Sequence, residues 1–258
     1  MHSDKIVTWR LLELEFPDAS ANLALEEALA RQIGERVSPQ TLRLWRNRKA
    51  AVIGENQSVK LELQLDACRE LGVEVVRRFT GGGAVYHDLG NLNYSICVPR
   101  PYPSDLEFQQ KTIRDALGCA GQCLRILGIE SSQVPINTFV VDGRKISGGA
   151  GAIRWGSVFY HGSILVSTDL PTVWKVLTRQ EPAAPPRFVQ SKRFPVTSIQ
   201  NELGGEVSIE TARAALRKAF TETFNATLVL QPATDRELKA ASAMVKEKYG
   251  TEEWNLRM

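Results

Sequence analysis

Apolar positions recur along the chain with two periods, and the changes between them divide it into elements. Residues 6–16 (IVTWRLLELEF) are rich in β-branched and aromatic side chains and predict a strand. Asp18 or Ser20 can cap a helix through about Ile33, since Leu23, Leu25, Ala28, Leu29 and Ile33 repeat with a helical period. Leu42–Trp45 and Ala51–Ile53 read as short strands. A helix over about 60–71 stops at Gly72, a suitable residue just past a helix end. A strand over 73–78 then runs into Gly81-Gly82-Gly83, and Asp88-Leu89-Gly90-Asn91 turns the chain into a strand over 92–98, predicting a hairpin beside the glycines. Pro99, Pro101 and Pro103 form a rigid connector to a long helix over about 105–127.

The sharpest local signal is Asp142-Gly143 between the β-formers Phe139–Val141 and Arg144–Ser147, the mark of a type I′ hairpin. A two-residue turn pairs Val141 with Arg144 and Val140 with Lys145, and strict alternation puts Lys145 on one face with Thr138 and Ser147. A strand over about 157–166 follows. Glu181–Pro186 (EPAAPP) reads as a surface loop and the best internal boundary. Helices over about 209–224 and 235–248 flank a short strand over 227–230. Strands dominate early and helices late, without regular βαβ alternation. The predicted fold is therefore α+β, a mixed sheet with helices rather than a doubly wound one.

Composition narrows the function by exclusion. The chain has 258 residues, with 32 basic against 29 acidic, too balanced to argue for nucleic acid, and no basic cluster is interleaved with aromatics. No apolar run approaches the ~18 residues of a membrane helix. Met1–Lys5 leads straight into Ile6-Val7-Thr8-Trp9 without a signal-peptide core, so the expected location is cytoplasmic, away from membranes. Cys68, Cys97, Cys119 and Cys123 contain no CxxC pair, and Cys119 and Cys123 at i, i+4 read as core thiols. The three histidines, His2, His87 and His161, lack metal-binding spacing.

The chemical candidates are two glycine clusters. Successive backbone N–H groups in a glycine turn form an anion nest, and Arg77 and Arg78 at its entrance could add phosphate donors. A wide glycine-rich turn with no ligand is the other reading, and the glycines alone do not choose. Lys145 precedes the second cluster, Gly148-Gly149-Ala150-Gly151. Near a nucleotide, a partly buried lysine can hold a phosphate or a developing oxyanion; an exposed strand lysine is the alternative. No P-loop, GxGxxG fingerprint or GxSxG elbow occurs. On residues alone the chain is a nucleotide-linked enzyme of unspecified chemistry.

A resemblance goes further. RRFTGGGAVYHDLGNLNYSI resembles the signature loop of the lipoate–protein ligases. Asn22-Leu23-Ala24-Leu25-Glu26-Glu27-Ala28 is similar to that family's first helix. Leu42–Asn47 and Val52–Gln57 are similar to its next two strands. Val140–Gly148 with His161-Gly162-Ser163-Ile164-Leu165 resembles its catalytic segment, and Lys248–Asn255 the motif closing its large domain. The match runs over about residues 22–256 in the family's order.

The resemblance implies a fold like the biotin/lipoate transferases and the class II tRNA synthetase catalytic domain, with a mainly antiparallel sheet flanked by helices. It implies ATP- and magnesium-dependent activation of lipoate to lipoyl-AMP. Transfer then goes to a lysine of a lipoyl domain of a 2-oxoacid dehydrogenase complex, or of glycine cleavage H protein. By resemblance Lys145 is the catalytic lysine and Arg78 lies at the nucleotide. Thr80, Gly81 and Gly82 complete the loop, Gly83-Ala84-Val85-Tyr86 give a backbone strip along the nucleotide, and Asn137 and His161 join the binding set.

Departures from the family pattern matter as well. Ile136-Asn137-Thr138 stands where the family usually has Arg-Asn-Asp, which removes a carboxylate that could touch magnesium or adenine, and no metal ligand is assigned. Strict alternation sets Asn137 on the face opposite Lys145, so sharing a site requires a bulge. The chain stops at Met258, which leads to the expectation that residues 1–258 are a single catalytic domain without the accessory domain of many relatives, served by a separate accessory subunit. An octanoyl or lipoyl transferase of the same fold would need a cysteine thiolate near the catalytic hairpin, and none follows Cys123. A non-catalytic lipoyl-binding assembly protein is the remaining alternative, against which Lys145 and Arg78 speak.

Overall fold

The computed structural model describes residues 6–135, 137–178 and 189–257. The N-terminal Met1–Lys5 and the Glu181–Pro186 boundary lie outside the described residues. In chain order the elements begin with β1 (Val7–Leu12), α1 (Ala19–Gly34), β2 (Thr41–Trp45), β3 (Ala50–Ile53), α2 (Val59–Glu62), α3 (Leu65–Glu70), β4 (Glu74–Arg77) and β5 (Val85–His87). They continue with β6 (Asn91–Pro99), α4 (Leu106–Ile126), β7 (Ser132–Val134), β8 (Thr138–Val141), β9 (Arg144–Arg154), β10 (Ser157–Leu165), α5 (Leu170–Val176) and α6 (Ile199–Leu203). The last are α7 (Ile209–Phe224), β11 (Ala226–Leu230), α8 (Asp235–Met244), a π-helical turn over Val245–Tyr249, and α9 (Glu252–Asn255).

Eight strands form one sheet in the order β11-β1-β2-β6-β10-β9-β8-β7, and β4-β3-β5 form a second. In the large sheet β1 runs parallel to β11 and β2, and the other pairs are antiparallel. The patterning predicts the mixed α+β sheet, and the resemblance its mainly antiparallel strands and flanking helices; both agree with this architecture. Alternation along β6 explains the layers. Leu92, Tyr94, Ile96 and Val98 join the core under α4 and α7, while Cys97 joins the core under α1. The second sheet, with α2, α3 and α5, encloses a third core around Ile53, Leu63, Tyr86 and Val176.

Two predicted elements differ. The helix over 60–71 is two short helices, α2 and α3, broken at Leu63-Gln64, where the Leu63 side chain enters the third core and Gln64 N–H bonds Val176 O at 2.9 Å. The predicted hairpin over 84–98 does not form. β5 pairs with β3 in the small sheet and β6 with β2 and β10 in the large one, so the turn at 88–91 carries the chain from one sheet to the other. The start of α1 is also capped from a distance. Asp18 makes no side-chain cap; instead the Glu74 carboxylate accepts from Ala19 and Ser20 N–H, at 2.8 and 3.1 Å.

Arg77, read from sequence as a phosphate donor, has a different job. It is fully buried, and its guanidinium donates to the carbonyls of Gly54, Gln57, Trp254 and Arg257 at 2.9, 2.8, 2.9 and 2.6 Å. Asn255 Oδ1 accepts from Arg77 N–H, and Trp254 Nε1 donates to Arg77 O, at 2.9 and 2.8 Å. The C-terminal motif is therefore a clamp on the strand that enters the glycine loop. Arg77→Met leaves these carbonyls buried without donors. It should lower the unfolding free energy by about 2–4 kcal/mol, read from urea denaturation followed by tryptophan fluorescence.

Candidate functional site

The face of the large sheet under α1 carries polar side chains where a core would be apolar. On β6 these are Asn93 and Ser95, and on β10 His161 and Ser163, all buried. Antiparallel register sets them in rows: Trp45–Asn93–Ser163–Gly148 crosses four strands, beside Arg43–Ser95–His161–Ala150. Over these rows lies a cavity of about 290 Å³, walled by Leu23, Val52, the glycine loop and Val189–Lys192. Arg78, Gly82, Gly83, Ala84, Val85, Asn137, Lys145 and His161 line it. Thr80, Gly81 and Tyr86 are not among the lining residues, and the Tyr86 side chain packs into the third core.

The Arg78 guanidinium is not a free fork. It donates to Gly81 O and Gly83 O at 2.7 and 2.8 Å, to Thr80 Oγ1 at 3.0 Å, and to Val52 O at 3.2 Å. Arg78 staples the glycine loop into shape. Gly82 sits at φ +88°, a conformation that a side chain would resist. Ala84 N–H is covered by Ser191 Oγ at 2.7 Å, and Ser191 in turn donates to the buried Glu62 at 2.6 Å. Gly81, Gly82 and Gly83 N–H have no partner among the described residues. They are the loop's spare donors.

The hairpin carries the bulge that sharing a site requires. Asp142 and Gly143 have φ 47° and 75°, as a type I′ turn demands. Val141 pairs with Arg144 and Val140 with Lys145; Ile146 is then extra, so Phe139 faces Ser147 and Thr138 faces Gly148. This corrects strict alternation and brings Asn137 to the same cavity as Lys145. Gly148 makes room for the lysine: a Cβ there would lie 2.6 Å from Lys145 Cε and 2.7 Å from Nζ. Burial, then the charge of Arg78, lower the ammonium to about 8, and Nζ has no partner among the described residues. Lys145 is thus an uncommitted cation of the cavity, and Lys192 also lines it.

Beneath it runs a saturated polar chain. Trp45 Nε1 donates to Ser95 Oγ at 3.0 Å, Ser95 donates to Glu26, and Glu26 Oε2 meets His161 Nδ1 at 2.9 Å. His161 Nε2 lies 2.7 Å from Thr80 Oγ1. Both ring nitrogens of His161 are thus engaged by protein, leaving its ring to face the cavity. A second chain fixes His87, which sequence reasoning did not place in the site. Arg43 can only donate, so its 2.7 Å bond makes Asn22 Oδ1 an acceptor and Asn22 Nδ2 a donor to Asn47 Oδ1, at 2.9 Å. Asn47 Nδ2 then donates to His87 Nδ1 at 3.2 Å. Burial, with His161, Arg78 and Lys145 nearby, pushes His87 down to about 3. The ring is neutral, with its proton on Nε2.

Asn93 was also missed. Its residue is 1% exposed and lines the cavity, and neither amide atom has a partner among the described residues. The available signal was Asn91, Asn93 and Ser95 alternating within a strand too central to face water. Among the described residues no carboxylate lines the cavity, and no three His, Cys, Asp or Glu converge on a metal position. The lining therefore does not fit a protein-held magnesium ion. None of the cysteines lines it either, and burial pushes Cys97, Cys119 and Cys123 up to about 12.

Residues 18–221 match the family model of the lipoyl protein ligase A/B catalytic domain. The chain belongs to this family. Lipoate-protein ligase A subunit 1 of Thermoplasma acidophilum is 34% identical over 96% of both chains. A solved bi-partite lipoate protein ligase with its E2 lipoyl domain, from the same organism, superposes with TM-score 0.81 at 31% identity, covering 97% of this chain and 96% of that one. A lipoate-protein ligase A bound with ATP gives TM-score 0.82 at 32% identity, over 97% and 99%. Octanoyltransferase LipM of Symbiobacterium thermophilum is also similar, 30% identical over 96% and 98%. The enzyme class is that of the lipoate–protein ligases. Among the described residues no helix is long and apolar enough to cross a membrane.

In a lipoate–protein ligase of this geometry, Gly148→Ala should displace the Lys145 ammonium while sparing the fold, because the colliding atoms are the free end of a flexible side chain. Melting temperature should move little, whereas acyl transfer should fall by roughly 10-fold or more, as when one preorganised contact is misplaced. Differential scanning fluorimetry alongside a lipoylation assay checks both.

Proposed function

We propose that the cavity binds lipoate and ATP, forms lipoyl-AMP, and passes the lipoyl group to a lysine of a lipoyl domain or of glycine cleavage H protein. The supporting observation is an uncommitted Lys145 ammonium facing a glycine loop with unpaired N–H groups across one cavity. In the first step a carboxylate oxygen attacks the α-phosphorus of ATP and pyrophosphate leaves. In the second the acceptor amine attacks the acyl carbon, the bond from that carbon to the phosphate oxygen breaks, and AMP and a proton depart. Lys145 holds the acyl carbonyl and the phosphate as charge moves between them, and Gly82 and Gly83, which line the cavity, donate to phosphate oxygens. Arg78 acts by shaping the loop. Deprotonating an acceptor lysine at pH 7 costs about 4–5 kcal/mol, which the cations Lys145 and Arg78 would reduce by favouring its neutral form.

Residues 1–258 would act as one cytoplasmic catalytic domain beside a separate accessory subunit, as in the bi-partite Thermoplasma system. Any magnesium ion would be held by phosphates and water, and no step is routed through it. A thioester transferase reading lacks a thiol in the cavity. Incubation with ATP, magnesium, lipoate and a lipoyl domain, with AMP release and the mass of the domain as readouts, tests the proposal. ATP-independent transfer from an octanoyl donor would favour the transferase instead. Lys145→Ala should slow transfer from synthetic lipoyl-AMP by about 10²–10³.

The pH dependence follows from the same lysine. Its ammonium is lowered from 10.5 to about 8 in the free enzyme, and an anionic ligand raises it again. Above pH 8 binding must therefore take up a proton, so affinity for a lipoyl-AMP analogue falls as pH rises from 8 towards 10 and is flat just below 8. Calorimetry in buffers of different ionisation enthalpy should register that uptake in the wild type and lose it in Lys145→Met.

A further inference from the structure

Asn93 buries a whole carboxamide with no partner for Oδ1 or Nδ2 among the described residues, at 1% exposure, in the wall of the cavity. An unpartnered buried polar group costs about 1–3 kcal/mol, so a ligand atom at this position has something to satisfy. Its place in the sheet says which atom. The row Trp45–Asn93–Ser163–Gly148 runs across the strands, and Lys145 Nζ lies over Gly148 at the far end. Asn93 is two strands away, roughly 10 Å at the usual spacing. That is close to the extended length of a medium-chain acyl group whose carbonyl sits at Lys145. The row ends on Trp45, and the His87 ring meets Trp45 edge-on at 6.2 Å. The distal end is thus an aromatic wall flanked by neutral hydrogen-bond donors; the buried Arg43 guanidinium lies over the Trp45 ring, 4.7 Å from its centroid, with its own donors given to Leu14 O and Asn22.

We propose that Asn93 is a specificity-determining residue that reads the distal end of the acyl chain, its Nδ2 donating to a ring sulfur of a dithiolane. The inference rests on the lipoate-ligase reading above and adds the basis for choosing between a dithiolane acid and a saturated one. Sulfur is a weak acceptor and packs favourably on an aromatic ring, so the Asn93–Trp45 pair suits it. A terminal methyl or methylene accepts nothing and leaves the amide unpaired, and a site built around a buried polar group discriminates against ligands that cannot pair with it. Oδ1 is the lesser problem, because an under-satisfied carbonyl is tolerated more readily than a bare N–H. The His87 Nε2–H, fixed as a donor by the Arg43–Asn22–Asn47 chain, offers the second sulfur the same kind of contact.

The test uses three acids: lipoate, octanoate, and cyclopentylpentanoate, which keeps the ring and chain of lipoate with both sulfurs replaced by methylenes. Each is titrated calorimetrically into the wild type, Asn93→Leu and Asn93→Ser. The wild type should prefer lipoate to cyclopentylpentanoate by about 10-fold, the equivalent of one hydrogen bond of ~1.4 kcal/mol, and Asn93→Leu should reduce that ratio to roughly 2-fold or less by binding the carbocycle more tightly. Equal affinity of the wild type for the two ring acids overturns the inference, whether or not the variants fold. So does an undiminished ratio in both folded variants. If none of the three acids binds the wild type, the ligase reading itself falls, an outcome distinct from loss of selectivity.

Discussion

Helix α1 buries 13 of its 16 residues, and among them are Asn22, Glu26 and Glu27. A helix closed in on every side cannot leave such groups bare, because an unpaired buried carboxylate costs several kcal/mol. Each must therefore draw partners from elsewhere in the chain. Asn22 holds Arg43 of β2 and Asn47; Glu26 holds Ser95 of β6 and His161 of β10. Glu27 takes Lys248 and Tyr249, each at 2.6 Å, and Arg31 at 2.7 Å. Burial would raise the Glu27 carboxyl, but these three donors hold it below its ordinary value. These pairings are conditions for burying α1 rather than additions to an already stable fold.

That constraint also builds the site. The partners α1 recruits sit in the rows of polar side chains on the sheet face beneath the cavity, so packing the helix orients His161 and, through Asn22 and Asn47, His87. The result is a division between groups already satisfied by protein and groups still open to a ligand. Arg43, Arg77, Arg78, Glu26 and His161 have spent their hydrogen bonds internally and act by holding shape. Lys145 Nζ, the glycine-loop N–H groups and the Asn93 amide remain free among the described residues. Donors left unpaired on rigid supports need no reorganisation when charge develops against them, which is where preorganised electrostatics gain their effect.

Much of this was legible in sequence where a local rule operates. Asp142-Gly143 fixed the hairpin register at Lys145 because a two-residue turn leaves few options, and helix α7 ends where its period ends. Arg77 and Arg78, by contrast, look alike in sequence. One binds the C-terminal clamp and the other staples the loop, a difference set by partners 177 residues and five residues away respectively. The predicted hairpin over 84–98 failed for a related reason: a turn signal says that the chain reverses, not which sheet each arm will join. Asn93 showed in the short-window alternation of Asn91, Asn93 and Ser95 but needed the central place of β6 to be read, and His87 needed the meeting of two sheets, neither of which a short window carries.

The two glycine clusters show how one residue type serves opposite needs. In the loop, glycine allows the backbone itself to be the ligand-facing surface, which is why Gly82 tolerates a positive φ and why its neighbours' N–H groups stay unpaired. On β9, Gly148 has an ordinary extended backbone and matters only for the volume its absent side chain leaves to Lys145. Backbone donors are fixed in place, whereas the Lys145 ammonium ends a flexible side chain whose backbone alone is held, by β8 on one side and by Pro195–Thr197 on the other. A cation and a row of N–H groups on one cavity favour a ligand that carries negative charge at one point, with an uncharged chain leading away from it. The apolar wall of Leu23, Trp45 and Val52 would receive that chain under the proposed reading, so the site's preference is set as much by positions that lack side chains as by those that carry them.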